Sequence, residues 1–380
     1  MLQLSITNDD KGVSSMKISV IIPAYNEEVY LPQTLDSVLN QTMSPSDYEV
    51  IVINNQSADQ TGQILENYSR KYSNLRTATH ENQGPGPARN MGMDLAKGDY
   101  YFFLDADDLV QKDALESLYD RALSRKADLV VASYEIFTES ESHPVRKLEA
   151  LTRKDEIDSF DPDLLWTFSL WNKLFSASPI REGKLRFSDL IYSEDGLFFM
   201  QYLSVCGKIT GLDQTVLRYR KAPSGKQSIT GSFSDRKLRD YLEAHRLMRS
   251  VLRKRLADKP KLPGKDARIL MQEFSYKELY VLIDQFYRHY WSMDETTRRH
   301  VSRAVSARLH AIDDAGYIRT IQQWPDIDFS KVGHETRESI PDDTKTSPAA
   351  PKSLPSRVIS KVRREAQKWI FLHNPHRHRL

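Results

Sequence analysis

Apolar runs alternate with apolar stripes over the first third of the chain. The run Ile18-Ser19-Val20-Ile21-Ile22 stops at Pro23, as expected of a strand buried on both faces. Asn26-Glu27-Glu28 then opens a helix on which Leu31, Leu35, Val38 and Leu39 share one face. Glu49-Val50-Ile51-Val52-Ile53 repeats the strand pattern, a polar turn follows, and Ile64, Leu65 and Tyr68 mark a second helix. A further run, Tyr100 to Leu104, ends abruptly in Asp105-Ala106-Asp107-Asp108. Ala114, Leu115, Leu118 and Ala122 then resume a helical period, and Leu129 to Ala132 reads as one more strand. Strand and helix in alternation predict an α/β fold, a mostly parallel sheet with flanking crossover helices. Ligands of such sheets bind beyond the carboxyl ends of the strands. There the chain places Tyr25, Asn26 and Glu27, then Asn54, Asn55 and Asp59, then the acidic cluster.

From Ser234 the pattern changes to long helical periods through Leu238, Leu242, Leu247, Val251, Leu252 and Leu256, then 269–290 and 301–312. The expected organisation is a leader over 1–15, an α/β domain over 16–230 and a helical accessory domain over 231–330. Residues 331–356, rich in Ser, Thr, Asp, Lys and Pro, read as a disordered linker. Over 357–380 the basic residues Arg357, Lys361, Arg363, Arg364, Lys368, Arg377 and Arg379 accompany a face of Val358, Val362, Ala366, Trp369 and Ile370. That is a basic amphipathic helix suited to an anionic membrane surface, or a solubilising tail.

Composition narrows the classes. Lys and Arg number 54 against 52 Asp and Glu across 380 residues, a balance that argues against a nucleic-acid partner. A single cysteine, Cys206, excludes an internal disulfide. The polar N-terminus lacks the basic start and apolar run of a signal peptide, and no stretch is apolar enough to span a bilayer. The expected location is cytoplasmic, peripheral to the inner face of the plasma membrane if the tail binds there. The long helices leave an oligomer open.

The acidic cluster carries the most chemistry. Three carboxylates in four positions at the tip of a buried strand repel one another, so a cation is expected beside them. Hard oxygen ligands suit Mn²⁺ or Mg²⁺, whose shell substrate phosphates commonly complete. The alternative is that Asp107 and Asp108 cap the following helix. Asp195, ahead of Leu197-Phe198-Phe199, also has two readings, a general base or an N-cap. Trp166 and Trp171 suit either an acceptor wall or the core. Arg218, Arg220 and Lys221 suit either a diphosphate clamp or surface charge.

These segments form a set. Val20 to Glu27, Glu49 to Asp59, Ala88-Arg89-Asn90-Met91-Gly92, and Gly98-Asp99-Tyr100 leading to Asp108 resemble, in order and spacing, the family-2 glycosyltransferases with the GT-A fold. Trp171-Asn172-Lys173-Leu174-Phe175, Glu194-Asp195 and Tyr219-Arg220 ahead of Ser228-Ile229-Thr230 extend the resemblance over about residues 17–230. It implies inverting, metal-dependent transfer of a sugar from a nucleotide-diphosphate donor to an acceptor hydroxyl, in the manner of bacterial surface-polysaccharide enzymes. The expected acceptor is a glycan or a polyol phosphate.

Residue by residue, the resemblance implies that Pro23, Ala24, Tyr25, Glu27, Asn54, Arg89, Asp105 and Ala106 line the nucleotide sugar. It makes Asp107, with Asp105, the metal ligand and Asp195 the catalytic base. Glu194, Trp171, Lys173, Arg220 and Ser228 fall on its diphosphate or acceptor side. One departure stands out: Asn54, Asn55 and Gln56 occupy positions where the family usually carries two aspartates and a glycine. Asn54 still accepts through its amide oxygen, so UDP remains the favoured donor nucleotide, while Gln56 takes a positive φ less readily than glycine. The competing function is a binding or membrane-adaptor protein that kept the fold without turnover.

Overall fold

The structure, a computed structural model, describes residues 16–81, 84–138, 140–221, 234–258, 264–282 and 293–299. The leader, Ser228, the linker and the basic tail lie outside these residues. The chain divides into two compact units, residues 1–228 and 229–380.

The first unit begins with β1 (Ile18–Ala24), α1 (Leu31–Leu39), β2 (Tyr48–Asn54), α2 (Thr61–Lys71), β3 (Leu75–Thr79), α3 (Pro85–Leu95) and β4 (Tyr100–Phe103). β1 pairs in parallel with both β2 and β4, and β2 with β3. The run of β-branched residues in β1 and β2 is buried on both faces, with Ile18, Val20, Ile21, Ile22, Val50, Ile51, Val52 and Ile53 fully sealed from water. Beyond β4 come β5 (Leu109–Val110), α4 (Ala114–Arg125), β6 (Leu129–Phe137), β7 (Ser142–Pro144), α5 (Glu149–Thr152), β8 (Lys173–Ser176), α6 (Ala177–Glu182), α7 (Glu194–Tyr202) and β9 (Ile209–Arg220). Among the described residues the nine strands form one mixed sheet in the order β3-β2-β1-β4-β8-β6-β9-β5, with β7 paired to β6. β8 runs antiparallel to both β4 and β6, whereas β9 lies parallel to β6 across a bulge at Ala132 to Tyr134.

Two features differ from the sequence pattern. The first helix opens at Leu31 rather than at Asn26-Glu27-Glu28. Asn26 takes a left-handed φ of 55°, and its Oδ1 accepts from the Ala58 N–H at 2.8 Å. Glu27 and Glu28 follow it in donating main-chain N–H groups to Thr61 Oγ1 and Asp59 Oδ2. These bonds zip the turn after β1 to the turn after β2 and delay the helix. The acidic cluster does not cap α4, whose N-cap is Asp113, and Asp108 instead accepts from the Arg220 N–H at 2.7 Å.

In the second unit, α8 (Asp235–Ala257) starts where Ser234 Oγ accepts from the Lys237 N–H at 3.2 Å. It meets α9 (Gly264–Val281) through Tyr241 OH, which donates to the Glu278 carbonyl at 2.8 Å, and through Arg249 against the buried Glu278 carboxylate. Among the described residues no helix is long and apolar enough to cross a membrane.

Candidate active site

The carboxyl ends of β1, β2 and β4 face the same rim. Pro23 stands opposite Ile53 in the β1–β2 ladder, and Ala24 opposite Asn54. Ala24 is buried and its carbonyl accepts from the Asn55 N–H at 2.8 Å, so it shapes the floor through its main chain. Tyr25 is 49% exposed, an unusual state for so large a ring, and Glu27 is half-buried beside it. Asn54 Oδ1 accepts from the Ser57 N–H at 3.0 Å and so holds its own turn. Gln56 adopts φ 56°, the conformation for which glycine is the usual choice, so the backbone turn persists without the glycine. Asn55 is 4% exposed; its Nδ2 donates to the Gly84 carbonyl at 3.1 Å, which turns Oδ1, without a hydrogen-bond partner, the other way.

The acidic loop leaves β4 as Leu104-Asp105-Ala106-Asp107-Asp108. Thr34 Oγ1 of α1 donates to the Ala106 carbonyl at 2.8 Å, Leu104 N–H to the Ile21 carbonyl at 3.0 Å, and Arg220 Nε to the Asp107 carbonyl at 2.7 Å. Asp105 and Asp107 remain partly open to solvent, whereas Asp108 is fully buried. Burial first, then the charges of Asp107 and Asp105, push the Asp108 carboxyl well above the usual carboxylate range.

Arg89, on α3, joins this loop to a segment more than a hundred positions away. Its guanidinium is 7% exposed, donating from Nη2 to Asp105 Oδ1 at 2.9 Å and from Nη1 to Glu194 Oε1 at 2.7 Å. α3 can lie this close because Gly86 and Gly92 lack side chains. A Cβ on Gly86 would sit 2.4 Å from the Ser188 carbonyl oxygen, and one on Gly92 2.4 Å from Ile21 Cγ2. Asn90 grips the same loop, donating to the Phe187 carbonyl and accepting from the Phe187 N–H, both at 2.9 Å. Phe187 stacks on Phe198 of α7 with ring centroids 4.0 Å apart. Glu194 thereby arrives at Arg89 with Asp195 next to it, half-buried, in the first turn of α7. Ser193, the N-cap, holds a left-handed φ of 63° and makes no side-chain cap bond.

Burial, then the neighbouring Asp195 charge, push Glu194 up to about 7 against the pull of Arg89. Arg89 is itself desolvated, yet the carboxylates of Asp105, Glu194 and Asp195 hold it above its ordinary value. One buried cation thus faces several acids, and Asp195 lies in the excess negative field.

Other expected residues serve the frame. Lys173 is fully buried, its Nζ donating to Thr167 Oγ1 at 2.9 Å, Asn172 Oδ1 at 2.8 Å and the Ser169 carbonyl at 2.5 Å. Burial drives that ammonium well below the usual lysine range, with Asp195 pulling the other way. Trp171 meets Tyr134 edge-on at 4.4 Å and stacks on Tyr219 at 5.3 Å, packed against the core cluster. Arg218 pairs with Glu135 at 2.6 Å. Gln33, Thr34, Asn90 and Phe187 shape the rim although none carries a catalytic pattern in sequence; only Asn90, inside the Ala88 to Gly92 segment, had a local signal.

Residues 19–184 match the family model described as Glycosyl transferase family 2. Residues 19–184 therefore read as a family-2 glycosyltransferase domain. Over 194 residues it is 35% identical to the poly(ribitol-phosphate) β-N-acetylglucosaminyltransferase TarP of Staphylococcus aureus, covering 49% of this chain and 57% of that protein. Over 198 residues it is 33% identical to the poly(ribitol-phosphate) β-glucosyltransferase of Bacillus spizizenii, covering 51% of this chain and 31% of that one. The chain therefore spans less than two thirds of these relatives. A crystal structure of S. aureus TarS residues 1–349 in complex with UDP-GlcNAc superposes with a TM-score of 0.65 at 23% identity, over 78% of this chain and 82% of that one. This likeness establishes the GT-A fold.

Proposed function

We propose that the first unit transfers a sugar, with inversion, from a UDP-sugar to a hydroxyl of a polyol-phosphate chain. The observation that carries the reading is Arg89, which binds Asp105 at the donor rim and Glu194 beside Asp195 in one buried network. The poly(ribitol-phosphate) transferases among the relatives support that acceptor and a glucosyl or N-acetylglucosaminyl donor. The UDP-GlcNAc complex of the TarS neighbour supports the nucleotide.

Tyr25 offers an exposed ring for the base, and Pro23, Ala24, Glu27, Asn54 and Ala106 form the adjoining main-chain and side-chain walls. The residues present fit a divalent ion shared with substrate. Asp105 and Asp107 bring two carboxylates to one loop, and Asp108 Oδ2 lies buried beneath with no hydrogen-bond partner. Among the described residues no cluster of three or more ligating side chains forms a closed cage, so diphosphate oxygens would complete the shell. When bound, Mn²⁺ or Mg²⁺ supplies positive charge against the departing diphosphate. Asp107 is the principal ligand, because Asp105 already holds Arg89. Asp195 accepts the acceptor hydroxyl proton as the oxygen attacks. Attack from the face opposite the departing diphosphate inverts the sugar.

The test follows UDP release from UDP-glucose and UDP-GlcNAc with Mn²⁺ and a poly(ribitol phosphate) acceptor. Acceptor-dependent release is expected, falling about 10² to 10⁴-fold in Asp195→Asn. Failure of both donors to release UDP in the presence of the polymer would sink the reading. We place the enzyme in the cytoplasm, at the membrane's inner face through residues 357–380, and vesicle flotation with and without that segment checks this.

A further inference from the structure

Arg220 closes β9, and its contacts converge on the loop that carries Asp107 rather than on open solvent. Nε donates to the Asp107 carbonyl at 2.7 Å, Nη2 to Gln33 Oε1 of α1 at 2.8 Å, and the main-chain N–H to Asp108 Oδ1 at 2.7 Å. The guanidinium plane lies over Tyr30 at 4.5 Å and over Phe137 at 4.6 Å. Thr34, one position after Gln33, holds the neighbouring Ala106 carbonyl. Two of the five donors of this planar fork are thus committed to the loop and to α1, with rings fixing its orientation.

We infer that Arg220 is a positioning residue, which sets the Asp107 carboxylate for the divalent ion by holding its main chain between α1 and the end of β9. The inference rests on the metal reading above. Arginine presents paired donors in a planar fork, whereas lysine keeps the charge and loses the paired geometry. Residues that orient a ligand without touching the ion change its affinity while leaving the remaining contacts to the nucleotide intact. A diphosphate clamp behaves otherwise, because its loss weakens the nucleotide however much metal is present.

Calorimetric titration of UDP at a series of Mn²⁺ concentrations separates these roles in wild type, Arg220→Lys and Gln33→Ala. Gln33 is exposed, so its truncation leaves the fold intact if Arg220→Lys does not. The Mn²⁺ midpoint for UDP binding is expected to rise about 10 to 100-fold in Arg220→Lys and by less in Gln33→Ala, with the limiting UDP affinity at saturating Mn²⁺ recovered. A midpoint that stays put while the limiting affinity falls overturns the inference in favour of a clamp. A lower melting temperature with neither quantity changed overturns it in favour of packing alone. A wild-type protein whose UDP affinity ignores Mn²⁺ sinks the metal reading and this inference together, whereas a responsive wild type with an unmoved variant sinks this inference alone.

Discussion

The two halves of the α/β unit hold their acids in different ways. In the half built from β1 to β4, the acidic loop follows directly from a buried strand, and its parallel neighbours place the other rim residues beside it by register. In the half from β6 to β9, the pair Glu194-Asp195 reaches the rim only because α3, Phe187 and Arg89 carry it there. A strand end supplies position through the ladder, whereas a loop and helix start need side-chain anchors from elsewhere. The second half is therefore the one a single substitution should uncouple from the first.

Removing the link should have the largest effect. Arg89→Met leaves several acids without their buried cation and should cost about 3 to 5 kcal/mol, the range for breaking a buried pair from one side. Chemical denaturation measures it, and a loss below about 1 kcal/mol would mean that the two halves stand independently. Gly86→Ala attacks the same junction by crowding. Its Cβ would meet the Ser188 carbonyl oxygen at 2.4 Å, and overpacking of this kind costs about 1 to 3 kcal/mol. An unchanged melting temperature would show that α3 has room to withdraw.

The electrostatic asymmetry predicts a pH dependence. Glu194 moves up from its ordinary 4.5 to about 7 on folding, so between those values the folded chain binds more protons than the unfolded one. Stability from this pair is present below the lower value and declines as pH rises through the upper one, by on the order of 1 to 3 kcal/mol. Denaturation curves from pH 4.5 to 7.5 should show that slope, flattened in Glu194→Gln, which keeps an acceptor for Arg89. A steeper slope in the variant would assign the effect to another group. The smallest effect is expected in the first half. Gln56→Gly relieves a left-handed φ of 56° but loosens the unfolded chain, for a net gain of no more than about 1 kcal/mol. A clear loss of stability would show that the Gln56 side chain holds the turn.

Much of the first half was legible because its signals are local. Apolar runs ending in Pro23 or in Asp105, β-branched in the first and aromatic in the second, mark buried strands, and polar residues at their carboxyl ends mark the rim. The opening of α1 was displaced because Asn26 and Glu28 bond across to Ala58, Asp59 and Gln60, a preference that helix patterning does not contain. β3, Leu-Arg-Thr-Ala-Thr at the sheet edge, escaped notice for want of an apolar run. β9 escaped because its twelve residues mix polar and apolar positions across a bulged pairing. The double reading of Asp107 and Asp108 as metal-side acids or helix caps was resolved against capping by the distance of α4, which begins only at Ala114.

The sequence by itself determined the alternation of strands and helices, the concentration of acids after β4 and the family to which residues 19–184 belong. Those properties are written in neighbouring residues, where strand burial and helix periodicity act over a few positions. Only the tertiary structure decided that Arg89 spans Asp105 and Glu194, that Lys173 and Trp171 support the frame, and that Arg220 grips the Asp107 main chain. Each of those outcomes depends on which groups are brought within hydrogen-bonding distance after the sheet closes. Burial then sets the charge balance of the groups it encloses, and no stretch of sequence contains that enclosure.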